Sequence, residues 1–266
     1  MFNFLRQIFR PATKHPSFRR GWGRLLLLLP FTAAAGGGFF SGFTTEGHIG
    51  YNIGGSAPLG MPATIRSLDR FSLTPNINFG ASATKHFSER WGVKVGVRFE
   101  NKGMDIDAGV KNYHMEITKG GESLAGVFTG NVVSRADLWM FTIPVQATFD
   151  VSKKVRLRGG LFGSYLTGRK FTGWAYDGYL RKDDPTGVKV ELGSGPDERG
   201  DYDFSPNLRH WQWGAVIGAD WYFHRRLGVY AELDWGFSGI FESGFHTVEQ
   251  TLRPIYGSIG LTYRLH

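Results

Sequence analysis

The sequence predicts an all-β fold: an eight-stranded antiparallel up-and-down transmembrane β-barrel with four long extracellular loops. Three observations carry this expectation. Apolar and polar residues alternate with period two through most of the chain. The alternating segments are long, and the connections between them alternate in length. The segments fall at roughly 47–54, 74–84, 92–102, 138–149, 155–166, 208–223, 228–239 and 255–265. Most are near the ~9–11 residues of a tilted membrane-crossing strand, longer than the ~5–6 of an ordinary globular one.

The third segment sets Val93, Val95, Val97 and Phe99 on one face and Lys94, Gly96 and Arg98 on the other. The fourth sets Trp139, Phe141, Ile143, Val145, Ala147 and Phe149 against Met140, Thr142, Pro144, Gln146 and Thr148. The sixth carries Trp211, Trp213, Ala215, Ile217, Ala219, Trp221 and Phe223 on its apolar face. Connections 85–91, 150–154 and 224–227 are short, whereas 55–73, 103–137, 167–207 and 240–254 are long. Short turns on one side and long loops on the other mark an outer-membrane barrel, and a closed ring leaves no backbone amide unpaired in lipid. Trp91, Trp139, Trp211, Trp221, Phe149 and Phe223 stand near strand ends, where two interfacial girdles belong. A soluble sandwich or lipocalin-like barrel also alternates, but it would bury these aromatics in a core. Pro144 inside a strong strand predicts a local bulge, since it removes one ladder hydrogen bond.

The chain has 266 residues, no Cys, 38 Gly and a net charge of +8. The absence of Cys excludes disulfide scaffolds, thiol catalysis and Cys-ligated metals. Six of the 31 Lys and Arg (Arg6, Arg10, Lys14, Arg19, Arg20 and Arg24) precede residue 36, where there is no acid; the other 25 face 23 Asp and Glu. The basic excess therefore belongs to the leader, and no nucleic-acid face is expected. A cationic stretch, an apolar run Leu25–Leu29 and then Ala33-Ala34-Ala35 predict a secretory signal peptide over 1–35. A periplasmic segment over 36–46 and the barrel over 47–266 complete the expected domains, in the outer membrane of a Gram-negative cell.

Three stretches resemble the porin-family (PorT-like) outer-membrane barrels of the Bacteroidetes type. They are Phe99-Glu100-Asn101-Lys102-Gly103, the run from Phe141 through Asp150 and Lys154 to Tyr165, and Gly214–Gly239 with the closing Gly260–Leu265. The resemblance covers about residues 72–266 and implies location and fold more than activity. His266 departs from it, because such barrels commonly end in an aromatic residue.

The lumen-facing charges expected from strand parity are Lys94, Arg98, Arg156, Arg158 and Arg264 against Glu100, Asp220, Glu232 and Asp234. Near balance favours a salt-bridged plug over an ion-selective pore. In the 208–239 hairpin, pairing Phe223 with Val229 would set Asp220 opposite Glu232, with Arg156 or Arg158 bridging them. Ser243, His246 and Glu249 could serve acyl chemistry but lack a flanking motif, so no enzyme is expected. Asp183-Asp184 and Asp197-Glu198 offer a weak calcium composition at most, and no cofactor or metal is expected. The expected partners are outer-membrane lipid, the barrel-insertion machinery, and an extracellular protein or glycan meeting loops 103–137 and 167–207. Trp174, Tyr176, Tyr179 and Tyr202 give the longest loop an aromatic, contact-prone character. The expected function is a structural or interaction barrel with a filled lumen; the alternative is a narrow porin or small-solute binding channel.

Overall fold

The computed structural model describes residues 42–265, apart from 59–62, 73, 75, 183–184, 246 and 249–250. The expected signal peptide lies outside the described residues. Eleven strands form one antiparallel sheet: β1 (Phe43–Pro58), β2 (Ile65–Ser72), β3 (Ile77–His86), β4 (Trp91–Lys119), β5 (Glu122–Asp150), β6 (Val155–Lys182), β7 (Lys189–Leu192), β8 (Gly200–Asp203), β9 (Trp211–Tyr222), β10 (Leu227–Gly236) and β11 (Leu252–Arg264). Eight of them, β1, β3, β4, β5, β6, β9, β10 and β11, pair in that order, and β11 pairs back to β1 to close a ring. β1 starts at Phe43, which pairs with Lys85, so the sheet begins four residues before the expected boundary at 47.

Alternation sorts the two faces of this ring. Val97 is 53% exposed, Ile143 52% and Ile217 60%, while their neighbours Arg98, Thr142 and Val216 are buried. An apolar exterior around a polar interior is the reverse of a water-soluble barrel. Aromatics collect at both ends of the apolar belt: Trp91 packs on Phe149 at 4.9 Å, and Tyr165 on Trp211 at 4.9 Å. The glycines make room inside. Gly50, Gly260 and Tyr230 share one hydrogen-bonded row. A Cβ on Gly50 would lie 2.2 Å from the Tyr230 hydroxyl, and one on Gly260 2.7 Å from the same ring.

Beyond the ring, the chain departs from the long loops expected of it. β4 and β5 run 29 residues each and β6 runs 28, roughly three times the ~9–11 needed to cross a bilayer. Segment 103–137 is therefore a hairpin and not a loop. It turns at Gly120-Gly121, whose φ of 60° and 86° fit a two-residue hairpin turn between Lys119 and Glu122. Segment 167–207 is the continuation of β6 followed by β7 and β8. β8 pairs with β6 and, through Thr118↔Asp201, with β4, so the extension curls into a head. β2, in the expected loop 55–73, pairs with β4. A backbone that continues its ladder satisfies its own polar groups, which a loop of this length would not. Inside the head, Met115, Ile117, Phe128, Leu138, Leu180 and Leu208 form an apolar core with Phe171, Tyr202, Phe204 and Phe241.

Two local expectations need correction. The ladder passes Pro144 with continuous register, Ile143↔Gly163 to Val145↔Leu161, and without a bulge. Gly96 lies across from it on β4, where the β4–β5 ladder passes from Val95↔Val145 to Arg98↔Thr142 without a pair between and without a change of register. In the β9–β10 hairpin, Val229 pairs with Trp221 and not Phe223. The turn closes through the His224 amide donating to the Leu227 carbonyl at 3.1 Å, which shifts the register by two residues. A shift of two leaves every side chain on its own face. It places Glu232 opposite Gly218 and Asp220 opposite Tyr230, separating the two carboxylates.

Candidate functional site: a charged lumen beneath an apolar head

Among the described residues, the buried charged side chains are Lys94, Arg98, Lys102, Arg156 and Arg158 with Glu46, Glu100, Asp220, Glu232 and Asp234. All project from even positions of the ring strands, so strand parity alone aims them inward. Arg158 stands between the two separated carboxylates, with its Nε donating to Asp220 at 2.9 Å and its Nη1 to Glu232. Gly218 allows this, because a Cβ there would lie 3.2 Å from the guanidinium carbon. Arg98 is the second hub: it pairs with Glu100 at 3.1 Å, with Asp234 at 2.8 Å and with Glu232. Lys102 closes that side, 2.8 Å from Asp234 and 3.3 Å from Glu100.

The other end of the lumen is organised by Glu46. It accepts from Lys94 at 2.7 Å, Arg156 at 3.3 Å, Arg264 at 3.4 Å and the Tyr222 hydroxyl at 2.5 Å. Arg156 therefore serves Glu46 and Asp150, the latter at 2.7 Å, and Arg158 alone bridges Asp220 and Glu232. Sequence reasoning missed Glu46, placed outside the barrel, and Lys102, set at a strand end. The same even parity as Lys94, Arg98 and Glu100 was the available signal for Lys102.

Neutral groups fill the remaining space. Asn52 donates to Glu100 at 3.3 Å and accepts from Asn78 at 2.6 Å and Ser258 at 2.7 Å, while Thr142 donates to Glu100 at 2.5 Å. A void of about 30 Å³ remains between His48, Lys94, Arg98, Arg158 and Glu232, room for about one or two waters. Charges so placed neutralise one another and cross-brace strands from opposite sides of the ring.

Above the plug lies a different environment. Along β4 the inward positions change from Lys94, Arg98, Glu100 and Lys102 to Met104, Ile106, Ala108 and Val110. The outward positions change from Val95, Val97 and Phe99 to Asp105 and Asp107, with Asn101 between them, buried and donating to Asp137. β5 repeats the change: Phe141 and Trp139 give way outward to Asp137 and Arg135, and Thr142 gives way inward to Met140 and Leu138. The ring is thus polar inside and apolar outside, and the head is the reverse.

The head's outer face joins aromatics to charges. Trp174 lies between Arg135 at 4.8 Å and Arg199 at 4.6 Å, and Tyr179 between Lys189 at 4.8 Å and Arg181 at 5.7 Å. Tyr176 donates to Asp107 at 2.9 Å; burial, with that carboxylate, pushes its phenol up to about 12. Tyr202 turns inward instead, hydrogen-bonded to the Val133 carbonyl at 2.8 Å. Of the residues considered for acyl chemistry or calcium, His246, Glu249, Asp183 and Asp184 lie outside the described residues.

A closed eight-stranded antiparallel ring with an apolar belt and a charged interior defines a membrane-spanning β-barrel of the outer-membrane class. Residues 33–242 match the family described as outer membrane protein beta-barrel domain, and the chain belongs to that family. No curated protein matches the chain. Among solved structures, Ail of Yersinia pestis in complex with the heparin analogue sucrose octasulfate is 12% identical, with 84% of this chain and 99% of that one covered at a TM-score of 0.37. OprG of Pseudomonas aeruginosa is 13% identical over 84% of this chain and 95% of that one, at a TM-score of 0.31. The NanC porin is 8% identical over 84% and 100%, at a TM-score of 0.28.

Proposed function

We propose that this outer-membrane protein is a non-enzymatic, non-conducting barrel that displays its β-head outside the cell as an interaction surface for a protein or glycan. The ion-paired lumen carries the reading. Ten buried charges, joined by ion pairs across the ring, fill the lumen where a pore would need water, which supports a closed barrel. The extension of β4–β6 far past the apolar belt supports the display role, since crossing the bilayer does not require it. The Trp174 and Tyr179 clusters give the head aromatic faces flanked by cations, a composition that suits contact. In the proposed orientation the short turns at 87–90, 151–154 and 223–226 face the periplasm.

Planar-bilayer recording of the purified protein tests this directly. The expected record is a flat baseline without discrete conductance steps. Steps that vanish when Arg98 or Arg158 is replaced would instead establish the alternative, a narrow pore lined by these charges.

A further inference from the structure

The head holds a cavity of about 430 Å³, within the roughly 300–1,000 Å³ of small-ligand sites. Its walls are apolar: Met104, Ala108 and Met115 from β4, Val132 from β5, Phe171 from β6 and Leu252 from β11. On the remaining side stands β2, whose Ile65, Leu68 and Phe71 all face the cavity. A regular strand could not do this, because residues three apart fall on opposite faces. Two register shifts, between Ile65 and Ser67 and between Leu68 and Arg70, bring the three to one side.

The opening of this space is next to the lipid belt. β2 pairs with β4 alone among the described strands, and Gly54–Pro58 of β1 pair only with β11, so the cavity is flanked by two unzipped strand edges. Gly55 lies in one hydrogen-bonded row with Ile255 and Trp235, and Trp235 is an exposed belt aromatic. Leu68 and Phe71 remain 55% and 42% exposed at this seam. Arg66 and Arg70 flank Leu68 on β2, with Asp69 beside them and Asp107 opposite Arg70, so the exposed edge of the seam carries charges of both signs.

We propose that the cavity binds a single alkyl chain of a lipid or fatty acid, the chain entering between β1 and β2 and its polar head group staying at the charged edge of β2. Water is a poor occupant of so apolar a space, and a polar solute would lose hydrogen bonds there. The site does not depend on the display role: a barrel with no extracellular partner could still hold the chain, and one with a partner could lack it.

The test uses the purified protein in liposomes, with photoactivatable probes bearing a diazirine near the chain end. One arm adds a free C16 fatty acid; the other builds the same chain into phosphatidylglycerol. Adducts on the peptides holding Met104, Met115 and Val132 are expected. Their presence in both arms means entry from the bilayer, and their presence with the free acid alone means entry from water; either supports the site. Ala108→Trp, which fills the cavity, should cut these adducts about tenfold and leave those at Ile143 and Ile217 unchanged. Because a large side chain can also unfold the head, Leu68→Asp at the exposed seam is the second variant, with the same expected loss. Adducts confined to the outward residues, or cavity adducts that both folded variants retain, would overturn the proposal.

Discussion

Three strands, β4, β5 and β6, run from the ring into the head and obey opposite rules in the two regions. In the ring, β4 turns Arg98 inward and Val97 outward; a few residues later it turns Met104 inward and Asp105 outward. The β4–β5 ladder does not change between them, because its register runs on through Lys102↔Leu138 and Gly103↔Asp137. What changes is the solvent. Where hydrocarbon surrounds the sheet, the outward face must be apolar and the inward charges must neutralise one another. Where water surrounds it, burial of apolar surface in the interior stabilises the fold again. The inversion between Phe99 and Met104 therefore marks the membrane surface along the strand.

The comparison can be broken most severely in the lumen. Arg158→Leu removes the group between Asp220 and Glu232 and should cost ~3–5 kcal/mol, because it strands buried negative charge. Urea unfolding from liposomes would measure it; a loss below about 1 kcal/mol would mean that water already shields these carboxylates. In the head the large loss should come from an apolar deletion. Leu138→Ala, at a fully buried position, should cost ~2–5 kcal/mol by leaving a cavity. A third experiment holds the face constant and changes the height. Ile143→Arg, outward in the belt, should cost ~2–4 kcal/mol, whereas Thr172→Arg, outward on the head, should stay within about 0.5 kcal/mol. Equal costs would mean that the two positions share a solvent.

The smallest effect concerns the head's resistance to protease. Paired strands seldom fit a protease, so cells treated from outside should lose the protein by cuts at Gly120-Gly121 or within 193–199, beyond β7. The strands 103–118 and 123–137 should be spared, along with the turn at 151–154. Cleavage at 151–154 in intact cells would reverse the proposed orientation.

The ring was legible because the requirements of lipid are written in a simple period. Val93, Val95 and Val97, or Ile143 and Val145, can alternate with polar residues in this way over a long strand only if one face is apolar throughout. The head was written in the same period with its sign reversed. Met104, Ile106, Ala108 and Val110 alternate with Asp105, Asp107 and Gly109, and Gly120-Gly121 sits between two such runs as a hairpin signal. Reading the loss of an apolar outward face as the end of the strand turned that hairpin into a loop. β6 was harder, because a shift near Thr167 moves its inward residues from even numbers (Arg158, Ser164) to odd ones (Phe171, Ala175) and interrupts the period. Within the lumen, parity was enough to name Arg158, Asp220 and Glu232. Their pairing depended on a turn whose closure at His224 and Leu227 no sequence period encodes.

Because the chain contains no Cys, a single introduced cysteine reports one position without background, and the membrane boundary can be located directly. Spin labels placed in turn at Val95, Val97, Phe99, Asn101, Asp105 and Asp107 in liposomes should show relaxation by oxygen dominating at 95 and 97. Relaxation by a water-soluble nickel chelate should dominate at 105 and 107, with the crossover between 99 and 101. Oxygen dominance at 105 and 107, or nickel dominance at 97, would contradict a membrane surface at the point where the strand inverts its polarity.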